Sequence, residues 1–213
     1  MPFHDMLLYL DSYPLPTPSA AIDQAIAFAA RVEGKLSALA LRADLPLKGN
    51  RFLDRIMDLD RVIAEEEANS RRACDAATAY FSKAAAAAGV FGAALTETAD
   101  LFGFPGHLAQ RARTRDLCIV PLASRHDGEQ EVARGVIFGS GRPTLIFLDS
   151  QTVPLRADLI VVAWDGSPCA ARALADSLPL LARARKLVGD KLTPLLDQSI
   201  LDWPLPPKTG RKP

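Results

Sequence analysis

The sequence predicts a doubly wound α/β domain with a five-stranded parallel sheet, followed by an appended β-α unit. Three observations carry that expectation. Apolar runs alternate with helical text in the order β-α-β-α-β-α-β-α-β, which argues a parallel sheet with right-handed crossovers and helices on both faces. The runs are solidly apolar rather than alternating, as strands covered on both sides must be. Finally, the chain begins the same unit twice. Residues 5–36, DMLLYLDSYPLPTPSAAIDQAIAFAARVEGKL, and residues 158–187, DLIVVAWDGSPCAARALADSLPLLARARKL, each run from apolar strand to Asp to turn to helix. Both close on similar Ala- and Arg-rich text. The expected organisation is a complete domain over 1–150, the opening β-α unit of a second over 151–187, and an irregular or disordered Pro-rich tail over 188–213.

In chain order, residues 6–10 form the first strand, ending at Asp11. A turn over 12–16 leads to a helix over 18–33, with Thr17 expected as N-cap and Pro18 at its first position. Ile22, Ala25, Ile26, Ala29 and Val32 share one face of that helix, and Gly34 is expected to close it. A second strand covers 36–41 and a loop 44–51. Residues 52–88 read as one helix or two, ended by Gly89. A third strand over 91–96, a short helix over 105–113 and a fourth strand over 117–120 follow. A polar loop over 124–130 precedes a helix over 131–138, and Gly141-Arg142-Pro143 introduces the fifth strand at 144–148. The second unit is a strand over 159–164 and a helix with Ser167 as N-cap and Pro168 at its first position. Beyond Lys186 no further strand is expected, only a weak helix over 188–201 and the tail.

Composition narrows the function classes. Net charge is zero, with 25 basic and 25 acidic residues, so no electrostatic footprint favours nucleic acid or an anionic membrane. No run of 18 apolar residues exists to span a bilayer, and the N-terminal text reads as a strand rather than a signal peptide. Cys74, Cys118 and Cys169 are far apart and odd in number, which reads as reduced, buried thiols in a cytoplasmic protein. His4, His107 and His126 are isolated, without a metal-ligand neighbour. Asp54, Asp58 and Asp60 interleave with Arg51, Arg55 and Arg61, as on a solvated helix face. Arg111, Arg113 and Arg115 read as plain basic surface, and Gly139-Ser140-Gly141 as a tight turn, because the glycine spacing of a nucleophile elbow is missing.

The text IVVAWDGSPCAARALADSLPLLARA resembles the universal stress protein family, whose domains open with an apolar strand, an Asp, a Gly-Ser and a helix. SGRPTLIFLD looks like that family's last strand, and a domain followed by another start looks like its tandem members. The resemblance implies a Rossmann-like α/β sheet. It also implies that the first-strand Asp lies near the adenosine in nucleotide-binding members, with phosphates held by a loop of the form G-x2-G-x9-G-[ST] after the fourth strand. Asp11 and Asp165 match that Asp, and Gly166 and Ser167 follow the second copy. The loop is not matched: Gly128 has no glycine three residues on, and Gln130-Glu131 falls where the Gly-Ser pair belongs. Glu131 there repels phosphate. The second copy is expected to stop short of such a loop.

Each candidate has a plainer reading beside the functional one. Asp11 is an adenosine or ribose ligand, or a polar strand stop. Asp165-Gly166-Ser167 is a ligand edge, or a turn whose Ser caps a helix. The leading expectation is a cytoplasmic stress-response protein that acts by association, as a homodimer, with no catalysis and no cofactor. The alternative is an adenine-nucleotide binder, taking ATP or AMP at an unorthodox phosphate site. An enzyme is the weakest reading, because no nucleophile-base pair or metal cluster is visible. A strand over 159–164 without neighbours would expose its edge and an apolar face, so residues 159–181 are expected in the dimer interface.

Overall fold

The structure, a computed structural model, describes residues 3–45, 59–123, 127–151, 154–155 and 158–189. These fall into two compact units, one reaching from Phe3 to Leu155 and one made of the residues beyond it. The elements of the first are β1 (Asp5–Leu10), α1 (Ser19–Val32), β2 (Lys35–Asp44), α2 (Leu59–Ala87), β3 (Phe91–Asp100), α3 (Phe104–Ala112), β4 (Leu117–Leu122), α4 (Asp127–Gly139) and β5 (Thr144–Leu148). The second unit holds β6 (Leu159–Val162), α5 (Pro168–Leu181) and β7 (Lys186–Gly189).

The first unit is the expected five-stranded, all-parallel sheet, in the order β3-β2-β1-β4-β5. Winding runs outward from β1 to β3, then returns to β4 on the other side, so the switch point lies between β1 and β4. Met6 through Leu10 are all buried, as a central strand covered on both faces requires. Helix α1 buries Ile22, Ala25, Ile26, Ala29 and Val32, the face that the sequence periodicity marks. Helix α2 does the same with Ser70, Cys74, Ala77, Phe81 and Ala85, a spacing of fours and threes that keeps one stripe on the sheet. The other face packs Leu7, Tyr9, Leu39, Leu41, Cys118 and Val120 against Leu108 of α3 and Val132 and Val136 of α4.

Two local expectations change. Thr17 does not cap α1; its hydroxyl accepts from the Asp11 amide at 2.7 Å, and its own amide donates to the Asp11 carbonyl at 3.0 Å. Pro18 holds the cap position without a side-chain hydrogen bond. Gly34 is not the left-handed residue that ends α1. Glu33 takes that conformation, at φ 60, while the Gly34 amide bonds back to the Ala29 carbonyl. Glycine is needed at 34 for space: a Cβ there would sit 2.2 Å from the Phe3 carbonyl oxygen and 2.7 Å from Met6 Cε.

Strands β1 and β2 differ in length, and that sets up a buried polar chain. Pairing ends at Leu10↔Ala40, yet β2 continues to Asp44. Backbone groups of β2 that have run out of β1 still need partners. Ser12 donates to the Leu41 carbonyl at 2.6 Å, the Ser12 and Ser70 hydroxyls meet at 2.7 Å, and Ser70 accepts from the Ala43 amide at 2.8 Å. A carbonyl only accepts, so the Ser12 hydrogen points at Leu41 and the Ser70 hydrogen at Ser12.

Strands β1 and β4 also part early. Their pairing stops at Leu8↔Ile119, although β1 reaches Leu10 and β4 reaches Leu122. Cys118 donates to Pro143 and Leu122 accepts from Asp149, so the even positions of β4 face β5 and its odd positions face β1. The odd position after Ile119 is Pro121, which has no N–H to donate.

In the second unit the β-α text is as expected at its start, with β6 from Leu159 and Ser167 capping α5 by accepting from the Ala170 amide at 3.1 Å. The expectation of no further strand is overturned. Lys186–Gly189 forms β7 and pairs parallel with β6 from Leu159↔Lys186 to Val162↔Gly189. β6 ends at Val162 rather than Trp164, and its pairing with β7 runs to Gly189, the last described residue. The appended piece is therefore a β-α-β unit, and among the described residues β6 pairs with β7 alone. The weak helix over 188–201 fails at its first two positions, which belong to β7; its remaining residues and the 203–213 tail lie outside the described residues.

Candidate functional site

The switch point carries a cleft of about 230 Å³. Asp11 enters it from the end of β1, and Leu15, Pro16 and Pro18 come from the β1–α1 connection. Pro121 and Ala123 come from the end of β4, and Asp149 from the end of β5. This is where ligands sit in open α/β sheets, outside the carboxyl ends of the strands. Asp11 is only 8% exposed. Its Oδ1 accepts from the amides of Ser12 at 2.8 Å and Tyr13 at 3.1 Å, which fastens the carboxylate to the turn that follows β1. The Ser12–Ser70 chain holds that same turn against β2 and α2.

The sequence marks Asp11 as a site residue and misses Asp149. The signal for Asp149 was the polar residue directly after the last apolar run, the same signal that singled out Asp11. The Asp165 group lies in the other unit, so the four candidates form two separate sets. Asp165 is exposed, and its Oδ1 accepts from the Ser167 amide at 2.8 Å. Its carboxyl is held below the usual range by the Ser167 hydroxyl and amide. Gly166 adopts φ 75 between them, a conformation that glycine takes without cost. Asp165, Gly166 and Ser167 thus build a turn and a helix cap.

The loop after β4 is shorter than the sequence suggests. α4 begins at Asp127, so Gln130 and Glu131 lie within the helix rather than ahead of it. The first five residues of α4 read Asp-Gly-Glu-Gln-Glu. Glu131, in the first two turns of α4, opposes an anion near that helix N-terminus.

Other candidates are absorbed by structure. Arg111 pairs with Glu97, Arg113 donates to the Gly139 carbonyl, and Arg115 reaches both carboxylate oxygens of Asp5 at 2.7 Å. Arg111 and Arg113 are exposed, as basic surface residues, and Arg115 is half-buried against Asp5. Ser140 accepts from the Arg142 amide in the turn before β5, with Gly141 at φ 66. His107 Nδ1 stands 3.7 Å from Glu97. His126, Asp54, Asp58, Arg51 and Arg55 lie outside the described residues. Cys74 and Cys118 are buried, whereas Cys169 is exposed in the first turn of α5, against the expectation that all three are buried. Burial raises the Cys74 thiol and pushes Cys118 up to about 12. Among the described residues no group of His, Cys, Asp and Glu is placed to hold a metal, and no helix is long and apolar enough to cross a membrane.

No protein-family model and no curated protein sequence matches this chain. Solved structures do. A universal stress protein from Archaeoglobus fulgidus overlays 92% of this chain on 70% of its own, at a TM-score of 0.55 and 15% identity. A protein of the universal stress protein family from Burkholderia pseudomallei overlays 71% of this chain on 97% of its own, with TM-score 0.40 and 21% identity. A universal stress protein solved with cAMP overlays 70% on 100%, with TM-score 0.39 and 15% identity. The sheet order, the switch-point cleft and the Archaeoglobus overlay together establish that this chain has the universal-stress-protein fold.

Proposed function

We propose that this protein is a cytoplasmic universal-stress-type regulatory protein that acts through association, as a homodimer, without catalysing a reaction. The observation that supports it is the second unit. Leu159 and Val161 of β6 are each 58% exposed, on a strand that pairs only with β7 among the described residues. Two strands and one helix are marginal as a free-standing structure, and β6 repeats the apolar text of β1, whose residues Met6 through Leu10 are all buried. Residues 159–181 gain most from burial against a second copy. Light scattering at micromolar concentration tests this reading. A dimer that Leu159→Lys or Val161→Lys converts to monomer supports it, and a monomeric parent protein overturns it.

A second reading is favoured by one observation: Asp11, the counterpart of the adenosine-side Asp in nucleotide-binding relatives, lines the cleft. On this reading the protein binds ATP or AMP there, or at Asp165, with a non-standard phosphate site. Denaturing the purified protein and identifying released nucleotide by mass spectrometry decides it. Release of ATP or AMP supports binding, and its absence, with no thermal shift in ATP and magnesium, refutes it.

A further inference from the structure

We infer that the β1–α1 connection is a hinged panel between two cavities, so that whatever fills one is felt in the other. The first cavity is the switch-point cleft. The second is a groove of about 310 Å³ on the helix side of the same unit, lined by Ile22 of α1 and by Ala73, Ala76, Ala77 and Tyr80 of α2. Pro16 and Thr17 line both. A segment packed at interior density has nowhere to move. This connection instead meets a cavity on each side, and Pro14, Leu15, Pro16 and Pro18 are all exposed.

The ends of the panel are tied. The Asp11 amide donates to the Thr17 hydroxyl at 2.7 Å, and the Thr17 amide donates to the Asp11 carbonyl at 3.0 Å. These two bonds close residues 11–17 into a loop with a narrow neck. The neck stands on β1, whose residues Met6 through Leu10 are buried, so the frame beneath it is fixed. Within the loop, Pro14 and Pro16 have φ held by their rings, which removes backbone freedom. A stiff stretch on a tight neck moves as one body through small rotations at its ends, as hinged elements do. A group entering the cleft beside Leu15 presses the panel toward the groove. Bulk in the groove presses it toward Pro121, Ala123 and Asp149, and such coupling is reciprocal. The coupling needs no particular ligand, and it stands apart from the dimer reading because both cavities lie within residues 3–155.

The test fills each cavity by mutation of the full chain and reads the other. Ala76 is exposed on α2, so Ala76→Leu adds bulk to the groove without crowding the core, while Ala123→Leu adds bulk to the cleft. In NMR spectra, Ala76→Leu is expected to shift the amide signals of Ala123 and Asp149, and Ala123→Leu those of Ala73 and Tyr80. Residues coupled through a shared cavity or a backbone shift are not additive. The Tm of the double variant should therefore lie at least about 2 °C below the sum of the two single changes. Thr17→Val removes the acceptor at the neck. It should speed hydrogen exchange of the Asp11 and Thr17 amides about tenfold and leave Met6 through Leu10 unchanged. Three results each overturn the inference: cleft signals unmoved by Ala76→Leu, single Tm changes that add within about 1 °C, or neck amides that do not respond to Thr17→Val. If Ala76→Leu does not fold, Ala73→Val places less bulk on the same wall and is read in the same way.

Discussion

Removing the Ser70 hydroxyl tests whether the buried chain under the site carries stability. Ser70→Ala orphans the Ala43 amide, which donates to Ser70 at 2.8 Å in the interior. Ser12 keeps its bond to Leu41, so one buried donor is left without a partner, at a cost of about 1–3 kcal/mol. For a chain of this length that lowers the Tm by about 2–12 °C. Ser12→Ala removes more, because it orphans both the Leu41 carbonyl and the Ser70 hydrogen. In the double variant the Ser70 hydroxyl is gone, so its penalty vanishes with it. The double variant should therefore lose less than the two single losses added together, by about 1 kcal/mol. Urea or thermal unfolding of the four proteins measures the cycle. A Ser70→Ala variant within about 0.5 kcal/mol of the parent, the range of ordinary surface substitutions, would refute the claim that the amide depends on this hydroxyl. Strict additivity would refute the Ser12–Ser70 bond.

Gly34→Ala places a methyl 2.2 Å from a backbone oxygen; Lys35, its neighbour, donates to the His4 carbonyl at 2.8 Å, so the strand has little room to yield. A loss of about 3 kcal/mol is expected, at the upper end for overpacking, and is read by chemical denaturation. Native thiol titration should modify Cys169 alone, and all three cysteines only after denaturation. The Cys118 thiol stays protonated in the fold to about pH 12, against 9.0 for the ordinary group. The unfolded chain therefore binds fewer protons above pH 9, so stability falls as pH rises from 9 toward 12. Cys118→Ala should flatten that decline in pH-dependent unfolding. Ser167→Ala removes the hydroxyl that lowers the Asp165 carboxyl, so an NMR titration should show that pKa rising. The same change weakens the α5 cap by about 1 kcal/mol.

Legibility followed how local the physics is. The fifth strand, the apolar face of α1 and the Ser167 cap were readable because each is encoded within a few neighbouring residues. Thr17 was misread because Ser/Thr before Pro is a good cap pattern, whereas the bond it makes reaches back six residues to Asp11. β7 was missed because four residues before a Pro-rich stretch carry too little periodicity, and its existence depends on pairing with β6. Asp11 stood out from its repeat at Asp165, yet the cleft could not be seen, because Asp149 joins it only through the order of the strands. Gly34 was assigned by rule to a helix end, while the fold uses its missing side chain against Phe3.

The proline at position 121 decides where two central strands separate. An N–H there would face β1, and with it the ladder would be free to zip past Leu8↔Ile119 toward the strand ends. Its absence leaves the two strand ends unpaired beyond Leu8↔Ile119, beside the cleft that Pro121, Leu15 and Ala123 line. Changes at Leu15 or Ala123 would retune what fits, much as furniture alters a room. Replacing the imino acid itself would move the wall, and the expected sign is a tighter sheet with a smaller opening above it.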